Sequence, residues 1–98
     1  LTAYSKNIAE EVDKYADITL VGDSLGSVLY NYKTTRKVSL SHMIDHSKSV
    51  RLGVKKSLMV VDMPYNTYNS KKKTLKVFYS FYIFALRVVT AILKTFVF

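Results

Sequence analysis

Cysteine is absent from this 98-residue chain, which excludes a disulfide framework and any thiolate nucleophile or thiolate metal site. Proline occurs once, at Pro64, and glycine three times, at Gly22, Gly26 and Gly53. Each therefore reads as punctuation between elements rather than as part of a low-complexity linker. No long apolar run opens the chain. Its first apolar residues are soon followed by Glu10, Glu11 and Asp13, so no secretory signal is read there. The last absence is of one charge sign. All seven acids lie in residues 1–62, where nine Lys and Arg leave a net charge of +2. Residues 63–98 carry six Lys and Arg and no acid, a net of +6. The overall +8 is thus an average over two unlike parts. The length fits one small domain or a piece of a larger one. Leu1 stands where a natural chain would have Met, and a natural N-terminus is expected to precede it.

What is present centres on Ile18-Thr19-Leu20-Val21-Gly22-Asp23-Ser24-Leu25-Gly26. An apolar, β-branched run that stops at glycine predicts a strand buried on both faces, as in a parallel sheet. Leu58-Met59-Val60-Val61-Asp62-Met63-Pro64 repeats the pattern, and Pro64 ends that strand because it cannot donate to a ladder. Ligands bind at the carboxyl ends of parallel strands. If the two strands are neighbours, about 4.8 Å apart, Asp23 and Asp62 enter one small volume. Two carboxylates there repel unless a cation lies between them. A hard divalent ion held by one or two carboxylates and substrate oxygens answers that need. The bland alternative for each aspartate is a cap on the following turn or helix.

Between these strands the pattern predicts helices. Ile8, Val12, Tyr15 and Ala16 suggest one apolar face, and Leu40, Met43, Ile44, Ser47 and Val50 a second. Ser39 or Ser41 would cap the second helix, and Gly53 would give it a left-handed stop. Leu1–Tyr4 reads as the tail of an earlier strand, and 26–37 as a long connection with room for a short strand or hairpin. The order βαβαβ implies parallel crossovers. His42 and His46, four apart, have a zinc-like spacing but no third ligand, so solvated helix histidines are expected. The Lys71–Lys73 run is read as a solvated helix start, not a nucleic-acid site.

Residues 77–98 differ in character: seventeen of twenty-two are apolar. They are expected to form a helical tail. The length approaches the roughly 20 residues that span a bilayer, but Arg87 in its middle opposes insertion. A buried core segment is a second reading, but the sudden onset, the loss of all acids and the Lys, Phe, Tyr and Ile bias favour a third, sequence never selected to fold, as a reading-frame change or a truncated product would give.

The quoted residues resemble the ketopantoate hydroxymethyltransferase family. The resemblance rests on Leu1-Thr2-Ala3-Tyr4, Val21-Gly22-Asp23-Ser24-Leu25-Gly26, Tyr32 through Leu40, Met43-Ile44-Asp45-His46-Ser47, and Val61-Asp62-Met63-Pro64-Tyr65. It implies an α/β fold, a partial (βα)₈ barrel of about the first three βα units over residues 1–76, with 77–98 as a tail unlike the family. It implies a cytoplasmic, homo-oligomeric transferase of pantothenate biosynthesis. Such an enzyme moves a hydroxymethyl group from methylene-tetrahydrofolate to 3-methyl-2-oxobutanoate, giving 2-dehydropantoate. Carried over residue by residue, Asp23 and Asp62 are the Mg²⁺ ligands, and Asp23, Ser24 and Asp62 contact the 2-oxo acid. Mg²⁺ on the keto and carboxylate oxygens would stabilise the enolate formed on loss of the C3 proton. Ser5 departs from the family's usual Asp. The family's substrate lysine, further metal-site glutamate and glutamate base belong to later strands, so this segment by itself is expected to be inactive.

Overall fold

A computed structural model describes residues 1–82 and 88–91. Its elements are α1 (Lys6–Val12), β1 (Ile18–Val21), α2 (Leu25–Tyr30), a 3-10 turn (Thr35–Lys37), α3 (Leu40–Gly53), β2 (Leu58–Asp62), α4 (Lys71–Tyr82) and β3 (Val88–Ala91). The three strands form one parallel sheet in the order β1-β2-β3. Thr2 adds a parallel bridge to Leu20, with Ala3 N donating to Leu20 O at 3.0 Å. The expected opening strand is therefore reduced to a single bridge.

The sheet is not buried on both faces as the apolar runs predict. Thr19, Val21, Met59 and Val61 are buried against the helices. Their alternates Leu20 and Val60 are only half-buried, while Ile18 and Leu58 are 50% and 45% exposed. In a barrel this second face would pack against inward side chains of the other strands.

The helices depart from expectation in three places. In α1 the inward residues are Ala9, Val12 and the following Asp13, whereas Ile8 and Tyr15 point outward. The connection after β1 is the short helix α2 rather than a strand or hairpin. Asn31 ends it in the left-handed region (φ 57°), which a short polar side chain tolerates. Gly53 is the last helical residue of α3 and does not have positive φ. Its role is close approach. A Cβ there would lie 2.5 Å from Lys6 O and 2.9 Å from both Ala9 Cβ and Glu10 N, so glycine is what lets α1 pack on α3.

Helix α3 follows the pattern closely. Met43, Ser47 and Val50 are buried, Leu40 and Ile44 pack at the edge, and Ser39 caps the start. Ser39 Oγ accepts from His42 N at 3.1 Å while His42 Nδ1 accepts from Ser39 N at 3.3 Å, a capping box with histidine in place of Glu. His42 and His46 are half-buried and bonded, not solvated as expected.

Residues 88–91 are a strand, so 77–98 is not the continuous helix expected from its apolar content. The helical expectation holds through Tyr82; for 83–87 and 92–98 it lies outside the described residues. No helix among the described residues is long and apolar enough to cross a membrane.

At the amino-terminal edge of the sheet, Asp13 ties two loops together. Its carboxylate accepts from the backbone N–H groups of Lys55, Lys56 and Ser57 at 2.8–3.1 Å while only 8% exposed. Desolvation raises its pKa, but these donors outweigh it and hold the carboxyl at about 2, below the usual 3.8. Since the folded value lies below the unfolded one, the stabilisation is complete above pH 4 and is lost as pH falls toward 2. Asp13→Ala should lower stability by about 2–3 kcal/mol at pH 7, the cost of stripping a charged acceptor from buried N–H groups. Urea unfolding at pH 7, 4 and 2 checks this: the gap from the parent chain should narrow with acidification.

Candidate functional site

The site forms because β1 and β2 are adjacent and in step. Val21 pairs with Val61, so Gly22, the first residue past β1, stands beside Asp62, the last residue of β2. Asp23 then turns back, and its N–H donates to Asp62 Oδ2 at 3.1 Å. The two aspartates are neighbours, and the contact between them runs from the Asp23 main chain to the Asp62 carboxylate. Asp23 is buried at 7% exposure and Asp62 is half-buried. Ser24, at the cap of α2, is exposed, and its Oγ lies 2.6 Å from Tyr4 Oη.

Gly22 shapes the space among them. A Cβ on Gly22 would sit 3.1 Å from Ser24 Oγ and 3.4 Å from Asp62 Oδ2, so its bare backbone leaves open the point toward which hydroxyl and carboxylate converge. Two carboxylates and a hydroxyl are hard oxygen donors. Donors of this class would suit a hard divalent ion such as Mg²⁺. Among the described residues no group of three or more His, Cys, Asp or Glu is placed to hold a metal ion.

Burial pushes the Asp62 carboxyl up from its ordinary value of 3.8. The ionised form is therefore costly in the fold. Stability is gained as pH drops through the raised value and given up as pH rises above it. A bound cation would reverse that penalty.

Tyr4 was not legible as a site residue from spacing, although it closes the Thr2-Ala3-Tyr4 segment. Past Ala3 the chain leaves the ladder, and Tyr4 reaches over to Ser24. Arg36 is a second such residue. Its guanidinium lies 4.7 Å from the ring centroid of Tyr65, pinning the 3-10 turn to the loop that follows Asp62. A cavity of about 260 Å³ beside that loop, lined by Leu40, Asn66, Thr67, Lys73, Lys76 and Val77, contains none of the three expected site residues.

Comparison with known proteins adds the decisive observation: a model of the ketopantoate hydroxymethyltransferase family matches residues 1–84. The chain belongs to this family. A 3-methyl-2-oxobutanoate hydroxymethyltransferase from Pelagibacter ubique is 68% identical over 75 residues, which are 76% of this chain and 29% of the relative. The equivalent protein of Trichodesmium erythraeum is 54% identical over 69 residues, covering 69% of this chain and 26% of the relative. That of Rhizobium etli is 49% identical over 73 residues, covering 74% and 27%. The chain thus spans less than a third of the curated relatives it matches. Ketopantoate hydroxymethyltransferases are transferases.

Asp62→Asn removes the costly charge and one hard donor together. It should raise the urea midpoint of the metal-free chain at pH 7 while weakening Mn²⁺ binding at least about tenfold. Calorimetric titration beside urea unfolding reads both effects, and a fall in both would be the contrary result.

Proposed function

We propose that this chain is a segment of an enzyme that adds a one-carbon unit to 3-methyl-2-oxobutanoate, with Asp23, Ser24 and Asp62 forming its half of the site. The observation that carries this reading is the Asp23 N–H to Asp62 Oδ2 contact, which holds two carboxylate-bearing strand ends together around the space left by Gly22.

Asp23 and Asp62 would hold Mg²⁺. A bound divalent ion supplies Lewis-acid polarisation of a carbonyl oxygen. The protein's own residues do the positioning. Asp62 is oriented by the Asp23 amide, and Ser24 by the Tyr4 hydroxyl, so neither has to be ordered when the ligand arrives. The Ser24 hydroxyl can donate to a carboxylate oxygen of the 2-oxo acid. Methylene-tetrahydrofolate fits the hydroxymethyl-transferring role as one-carbon donor. The base that removes the C3 proton would come from outside the described residues, as would the contacts that build a homo-oligomer. This segment alone should therefore lack turnover.

The test uses the full-length protein that carries this segment. Asp23→Ala and Asp62→Ala should each lower Mg²⁺-dependent formation of 2-dehydropantoate on the order of 10³-fold, since metal polarisation is worth several kcal/mol at the transition state. Turnover unchanged by either substitution at limiting Mg²⁺ would refute the assignment.

A further inference from the structure

His46 lies one helical turn beyond His42 on α3 and is held at both ring nitrogens. Nδ1 is 2.8 Å from the Tyr4 carbonyl oxygen, and Nε2 is 2.8 Å from Tyr30 Oη. A carbonyl only accepts, so Nδ1 carries the proton and Nε2 accepts from the tyrosine. The Tyr30 ring meets the His46 edge at 5.8 Å and 82° and stacks on His42 at 5.1 Å. Both nitrogens of His46 and Nδ1 of His42 are thus committed within the protein. A zinc pair at this spacing would have to break those bonds.

The Tyr4 end of the contact explains its use. Thr2 and Ala3 are fixed by the ladder to Leu20, but Tyr4 is past it. Ser5, which starts α1, makes no side-chain cap bond. The segment is instead fastened from α3 at two points, His46 to the Tyr4 carbonyl and Ser49 Oγ to the Lys6 N–H at 2.9 Å. Of the two, only the His46 contact lies on the residue whose hydroxyl reaches Ser24, at 2.6 Å.

We propose that His46 is a positioning residue for the site: by donating to the Tyr4 main chain it places the Tyr4 hydroxyl on Ser24 and so fixes the serine that faces the 2-oxo acid. This rests on the reading of Ser24 as a substrate contact. His46 touches no substrate itself and acts through Tyr4, two hydrogen bonds from the ligand.

The geometry supplies its own controls. The side-chain amide nitrogen of asparagine overlays Nδ1, so His46→Asn keeps the donor to Tyr4. His46→Gln places its polar end near Nε2 and loses that donor. Ser49→Ala cuts the other tether without touching Tyr4. In the full-length protein, His46→Gln should raise KM for the 2-oxo acid about tenfold, the effect of one well-placed hydrogen bond, with kcat within twofold. His46→Asn should restore KM to within threefold of the parent, and Ser49→Ala should leave it there. Tyr4→Phe should raise KM as His46→Gln does, and the Tyr4→Phe/His46→Gln double variant should be no worse than Tyr4→Phe alone. Additive losses in the double variant would overturn the proposal, as would failure of His46→Asn to restore KM. If His46→Gln does not fold, His46→Asn decides: a KM near the parent supports the proposal and a tenfold rise overturns it. Asp62→Ala, assayed alongside, separates the two readings. Lost turnover in Asp62→Ala with an unaltered KM in His46→Gln removes only the positioning role. Retained turnover in Asp62→Ala removes the site and the positioning role with it.

Discussion

The parallel register of β1 on β2, with Val21 opposite Val61, decides where the chemistry of this chain can be. A slip of β2 by one residue would turn Met59 and Val61 away from the helices and carry Asp62 away from Asp23. Burial of Thr19, Val21, Met59 and Val61 on one face therefore fixes the register, and the register brings the Asp23 amide onto the Asp62 carboxylate. Packing and polar geometry are here one constraint.

Each end of the β1–β2 pair is finished by an aspartate, with opposite electrostatic results. At the amino-terminal edge Asp13 gathers three backbone N–H groups and is held ionised, so its charge stabilises the fold. At the carboxyl end burial raises the Asp62 pKa, so its charge burdens the fold. A carboxylate kept where it is costly is the pattern expected of a group retained for binding.

The sequence made some of this visible and hid the rest for physical reasons. Both strands were readable because uninterrupted apolar runs ended in carboxylates, and α3 because its buried residues recur at helical spacing. Helix α2 was not readable: Val28, Leu29 and Tyr30 are all exposed, leaving no amphipathic stripe to find. Burial on both sheet faces was overread, since an apolar run does not say what covers it. Residues 88–91 were expected as helix because periodicity cannot separate helix from strand in a continuous apolar stretch. Gly53 was taken for a turn signal when its function is to admit a neighbouring helix. The neighbouring strand ends that carry Asp23 and Asp62 were legible, but the links made by Tyr4 and His46 were not. Their contacts span 20 and 42 residues, and no local spacing encodes them.

In the proposed site two strand ends share one cation. Substoichiometric Mn²⁺ added to the isotope-labelled chain tests it most directly, because a paramagnetic ion broadens nearby amide signals. Gly22, Asp23, Ser24 and Asp62 should broaden together at the same Mn²⁺ concentration, before the exposed Glu10 and Glu11 pair on α1. Broadening confined to one strand end, or reaching Glu10 and Glu11 first, would contradict it.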